Sequence, residues 1–186
     1  MNLIIIRHGQ TIENVQGLIQ GHTRGTLTDL GKQQSKETAL LLKDESLDAI
    51  YSSDLERCKD TTKYLIRYHQ EIPTHYTSAL REINVGKFDK LPVKVPGFIE
   101  KTGAWIISYF HLKVPGVESL KNLRLRITSF LNEVYRQYPN GNVLIVTHGV
   151  TMRTIESILH EAKNIDISPI PNCEVWRMTM TKRLRQ

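Results

Sequence analysis

The sequence predicts an α/β protein, a three-layer α/β/α sandwich. Its sheet is mostly parallel, with an antiparallel edge strand and a lid insertion over the carboxyl ends of the strands. Three observations carry this reading. Residues 2–6 form a short apolar run of the kind found in strands buried on both faces, and residues 143–146 form another. Each run ends in a His-Gly pair, His8-Gly9 and His148-Gly149. Between and after them, strand-like runs alternate with segments of helical period.

Taken in order, residues 10–25 have no clear period and carry Gly17, Gly21 and Gly25, which reads as a loop over the first strand end. Thr28 is a plausible N-cap for a helix reaching about Lys43, with Leu30, Ala39, Leu41 and Leu42 as a weak apolar face. Residues 48–52 form a short strand. Ser53 to Glu56 matches a capping box, and Leu55, Cys58, Thr62, Leu65 and Ile66 recur at helical spacing after it. Residues 74–78 read as an edge strand. Residues 83–117 differ in character: prolines, glycines and aromatics, including Trp105 and Tyr109, describe the lid over the site. Residues 118–138 carry one apolar stripe and are the strongest helix. A strand over 143–147, a helix over about 150–160 and a final edge strand over 174–181 complete one domain of 186 residues, with no repeat or linker.

Arg7, His8, Arg57 and His148 all fall at or just after strand ends, which share one edge in a parallel sheet. Two guanidiniums, two imidazoles and the N-terminal amides of the helix after Gly149 describe a phosphate site. A neutral imidazole beside guanidiniums is a nucleophile, so His8 is expected to attack phosphorus. Glu82, just before the lid, is the best candidate in chain order for the acid that protonates the leaving alkoxide.

Composition narrows the alternatives. The net charge of +6 allows an anionic ligand, but Lys and Arg are scattered, so a solvated, mildly basic surface is favoured over nucleic-acid binding. No apolar run approaches the roughly 20 residues of a membrane span, and the N-terminus lacks a secretory pattern. Cys58 and Cys173 form no CxxC pair and read as small core residues of a cytoplasmic protein.

These segments resemble the histidine phosphatase superfamily, the phosphoglycerate mutase-like proteins, over nearly the whole chain. Arg7-His8-Gly9 looks like its RHG signature, with Asn14 at the later polar position. Leu27-Thr28 and Gly31 through Gln34, Ser52 through Cys58, Leu80-Arg81-Glu82 with Gly86, Pro115 through Ser119, and Val146 through Gly149 follow in the family's order. The resemblance implies His8 as the phosphorylated nucleophile and Glu82 as proton donor. It implies Arg7, Arg57 and His148 as the phosphate pocket, joined by Asn14, Gln20, Gly21 and Gly149, with neither metal nor cofactor. The chain departs from the pattern in three places: Arg24 stands where relatives often have Asp, the usual Trp-Glu-Gly near Phe88-Asp89-Lys90 is altered, and Val117 replaces a Gly.

The expectation is a phosphomonoester hydrolase acting through phosphohistidine on a small phosphorylated metabolite. A phosphoglycerate mutase and a catalytically idle phospho-ligand module are the alternatives. Lys87, Lys90, Lys94, Trp105 and Tyr109 are candidates for contact with the leaving group. Sugar phosphates, phosphoglycerates, nucleotides and α-ribazole phosphate stay open as substrates, as does the oligomeric state.

Overall fold

A computed structural model describes residues 1–93, 115–166 and 168–185. Five strands, β1 (Asn2–Arg7), β2 (Ala49–Ser53), β3 (Thr74–Thr77), β4 (Asn142–Thr147) and β5 (Val175–Thr179), form one sheet in the order β3-β2-β4-β1-β5. All pairings are parallel except β1 with β5, which is the expected antiparallel edge.

Side chains of a strand alternate between faces, so each inner strand must be apolar on both. Leu3, Ile5, Val143 and Ile145 face helices α4 (Leu120–Gln137) and α5 (Gly149–Leu159), packing on Leu123, Ile127, Met152 and Ile155. Ile4, Ile6, Leu144 and Val146 face α2 (Asp29–Leu41) and α3 (Glu56–Leu65), packing on Ala39, Leu42, Cys58 and Leu65. Two separate cores on one sheet make the three layers.

Local structure departs from expectation in four places. Inside the expected loop of residues 10–25, Ile12–Val15 forms a helical turn, α1, closed by reciprocal bonds between Thr11 and Asn14. It buries no residue, so no apolar period announced it. The capping box at Ser53 does not form: Ser53 ends β2, α3 starts at Glu56 after Leu55, and no side chain caps it. The buried face of α2 is Gly31, Ser35, Thr38 and Ala39, whereas Leu30 and Leu41 are exposed. Small residues prevail there because the β1 end runs close by: a Cβ on Gly9 would stand 2.5 Å from the Gly31 carbonyl oxygen. Of the two cysteines, Cys58 is fully buried, but Cys173 is half-buried on a backbone with φ of 58°.

Of the expected lid, residues 83–93 and 115–117 are described, and Lys94, Trp105 and Tyr109 lie outside the described residues. The first of these stretches is pinned to the loop after α1: Ile19 N–H donates to Leu91 O, and Lys90 N–H to Ile19 O, each at 2.8 Å. Among the described residues no helix is long and apolar enough to cross a membrane.

Candidate active site

The β1–β4 register pairs Arg7 with Thr147, so the following residues, His8 and His148, emerge side by side at the carboxyl edge of the sheet. Their ring centroids are 5.3 Å apart, edge to face. β2 ends at the same edge, and the first turn of α3 brings Arg57 into hydrogen-bond contact with His148.

His8 is 3% exposed. Its Nδ1 lies 2.8 Å from the Gly9 carbonyl oxygen. A carbonyl only accepts, so Nδ1 carries the proton and Nε2 keeps its lone pair. Burial, then the charges of Arg57 and Arg7, holds the His8 pKa well below the ordinary imidazole value. The imidazole is therefore neutral at neutral pH.

His148 is the opposite tautomer. Arg57 Nε–H donates to its Nδ1 at 3.1 Å, so its Nε2 carries the proton and donates to Ser53 Oγ at 2.9 Å. Burial, and then Arg57, holds its pKa well down too. The Cys58 thiol lies 3.4 Å from the same Nε2; burial pushes its pKa up to about 12, so it stays protonated.

Arg57 is wholly buried. Besides His148 it donates to Thr23 O at 2.6 Å and to Gly21 O at 2.8 Å. The loop carrying those carbonyls is held by Asp89, whose carboxylate accepts from the amides of Gly21, His22 and Thr23 at 2.7, 3.1 and 3.2 Å. Gly21 fits there because a Cβ would meet Val85 Cγ2 at 2.6 Å.

A cavity of about 260 Å³ opens in front of His8. Arg7, Asn14, Gln20, Glu82 and Gly149 line it with His8. Arg57, His148 and Gly21 lie behind it, bonded to protein partners. Arg7 bonds the Ile170 carbonyl through Nη1. Its Nε is the one buried side-chain nitrogen or oxygen among the described residues with no hydrogen-bond partner. An unmade buried bond costs about 1–3 kcal/mol, which an anion at this point would recover.

Glu82 is buried. Its Oε2 accepts from Val150 N–H at 3.0 Å, and its Oε1 accepts from Thr151 N–H and Oγ1–H, each at 3.2 Å. The amides of α5 expected to meet a phosphate thus hold the carboxylate instead. A Cβ on Gly149 would stand 3.8 Å from Arg7 Nε and 4.0 Å from Glu82 Oε2, so both groups share one patch of wall. Asn14 and Gln20 bond one another, Nδ2 to Oε1 at 3.3 Å, and Gln20 Nε2 also donates to Glu13.

Arg24, Lys87 and Lys90 are exposed and do not line the cavity. Sequence reasoning missed Asp89, Ser53, Thr151 and Asn172, whose Nδ2 donates to His8 O and to Asn14 Oδ1. Ser53, Asp89 and Thr151 lie in or beside the family segments, but Asn172 stands near none of them.

With this geometry in view, the likenesses to known proteins are informative. The family model of the histidine phosphatase superfamily, branch 1, matches residues 3–185. The broad-specificity phosphatase of Saccharomyces cerevisiae is 29% identical over 163 residues, covering 83% of this chain and 68% of its own. The metal-independent phosphoserine phosphatase of Arabidopsis thaliana is 32% identical over 157 residues, covering 82% and 66%. The crystal structure of the α-ribazole phosphatase from Shigella flexneri superposes with a TM-score of 0.75 at 27% identity, covering 87% of this chain and 81% of that one. The chain, matched from its first strand to its final residues, belongs to the histidine phosphatase superfamily, branch 1.

Proposed function

We propose that the chain hydrolyses phosphomonoesters through a phosphohistidine on His8, without a metal. One observation carries the reading: a neutral imidazole with a free Nε2 lone pair stands beside the unpartnered Arg7 Nε–H in the same cavity. The substrate phosphate fills that gap, its oxygens held by Arg7 and by Asn14 and Gln20 once these exchange bonds with each other for bonds to the ligand.

His8 Nε2 attacks phosphorus as the P–O bond to the alcohol breaks, and Glu82 in its acid form gives the departing oxygen a proton. Water then attacks the phosphohistidine, the N–P bond breaks, and the water proton returns to Glu82. Arg57 and His148 support the step from behind. Arg57 adds fixed positive charge, and His148 presents its ring edge to His8 at 5.3 Å. The name of the Arabidopsis relative supports metal independence. So do the guanidiniums of Arg57, wholly buried, and Arg7, partly buried, which supply the positive charge a metal otherwise brings.

The test is to trap the phosphoenzyme from labelled p-nitrophenyl phosphate and map the label. An acid-labile phosphoryl group on His8, absent in His8→Asn, is expected. Hydrolysis by His8→Asn at the wild-type rate would refute the reading. Transfer of the phosphoryl group to a phosphoglycerate hydroxyl in preference to water would favour a mutase instead.

A further inference from the structure

We infer that the alcohol part of the substrate is compact and apolar, without a carboxylate or second phosphate of its own. This rests on the phosphate end of the cavity lying at Arg7 and His8. Apart from the residues of that end and from Arg153 and Ser168, the described lining is apolar, with Leu18, Ile19, Val85, Val93, Val150 and Ile170. They belong to a built structure. Gly17 O accepts from Val93 N–H at 2.8 Å, the Ile19–Leu91 bond lies alongside, and Leu18 bridges to Pro92, so that wall is hydrogen-bonded across two chain segments. Ile170 and Val85 are buried.

Charge on the walls points the same way. Among the described residues lining the cavity, Arg7 and Arg153 are the cations besides the neutral His8. Arg153 is not free to meet an anion. Its Nη1 lies 3.0 Å from Glu156 Oε2 and 3.3 Å from Asp166 Oδ2, its Nε donates to Ser168 O, and its guanidinium covers the Trp176 ring at 5.0 Å. Two carboxylates balance that one charge. Of the lysines named above, Lys87 and Lys90 are exposed and do not line the cavity, and Lys94 lies outside the described residues. A carboxylate on the alcohol would leave water for an apolar wall that offers it no partner among the described residues, which is costly. The volume, about 260 Å³, is below the roughly 300–1,000 Å³ of sites for drug-sized ligands, so the group is small.

The experiment compares hexylphosphonate with 6-phosphonohexanoate, which differ only by a terminal carboxylate and cannot be hydrolysed. Calorimetric Kd values for the full chain are expected to favour hexylphosphonate by at least about fivefold. A smaller preference, a reversed one, or no binding of either ligand overturns the inference. The double variant Glu156→Gln, Asp166→Asn leaves Arg153 unpaired. It should tighten 6-phosphonohexanoate by up to roughly fivefold while leaving hexylphosphonate unchanged; an equal change in both would also count against the inference. Labelling of His8 by p-nitrophenyl phosphate in the same preparation separates the two readings. Labelling without the preference removes the apolar leaving group alone, whereas the preference without labelling keeps the apolar pocket and removes the covalent step.

Discussion

Two imidazoles kept neutral inside the protein make its stability depend on pH in a way that can be calculated. Burial and the two guanidiniums lower the pKa of both His8 and His148 well below their ordinary value of 6.5. The unfolded chain therefore binds protons that the folded chain refuses. The sign follows: stability is fully present above about pH 6.5 and is lost as pH falls below it, until the folded-state values are reached. At about pH 5.5 an unfolded imidazole is roughly ten-elevenths protonated, worth RT ln 11, or about 1.4 kcal/mol for each group. The pair sets an upper limit of about 2.8 kcal/mol lost between about pH 7.5 and about pH 5.5. Urea unfolding at both pH values measures it, provided the m-value stays constant. His8→Gln should remove about half of the drop whatever it does to stability at neutral pH, because glutamine does not titrate. A drop as large in His8→Gln as in the wild type would refute the claim that His8 is held neutral by its surroundings.

Other expectations follow from single contacts. Glu82→Gln should slow esters of poorly acidic alcohols most and p-nitrophenyl phosphate least, read as kcat/KM across leaving groups; equal losses would remove Glu82 from the acid role. Asp89→Ala strips the acceptor from three consecutive amides and should cost about 2–4 kcal/mol of unfolding free energy in urea. It should also slow His8 phosphorylation, because the loop it releases carries both carbonyl partners of Arg57. Lys90 holds φ of 65°, a region glycine enters without steric cost, so Lys90→Gly should be neutral or raise stability by up to about 1 kcal/mol in the same assay.

The layer order and the gathering of Arg7, His8, Arg57 and His148 at one sheet edge were legible because they depend on period and chain order. The two apolar runs had to be inner strands, and parallel pairing then forces their ends together. What resisted reading depends on contacts distant in sequence. Ser53 looks like a helix cap from its neighbours, but the structure gives its hydroxyl to a histidine 95 residues away. Asp89 looks like an altered motif residue, yet it binds amides 66 to 68 positions earlier. The direction of the two rings was equally hidden, since each tautomer is chosen by one partner, a carbonyl for His8 and a guanidinium for His148. The amides at the start of α5 were read as phosphate ligands from the helix alone. A carboxylate 68 residues upstream competes for the same positive end, and it wins because it is always present.

That competition bears on how the site would use Arg57. Among the described residues, neither Arg7 nor Arg57 forms a salt bridge, although Arg57 is wholly buried and Arg7 buries its Nε. Arg57 bonds two carbonyls and an imidazole nitrogen, all neutral groups, so its charge is hydrogen-bonded but not cancelled. Arg7 and Arg57 thus bring two fixed positive charges to the site that no protein carboxylate pairs among the described residues, and a phosphate dianion balances them. In a low-dielectric interior such a charge acts over several ångströms without contact. On the proposed reading Arg57 therefore needs no direct bond to phosphate. Locked by its three partners, it would stabilise the charge on the phosphoryl oxygens without having to reorganise when the substrate arrives.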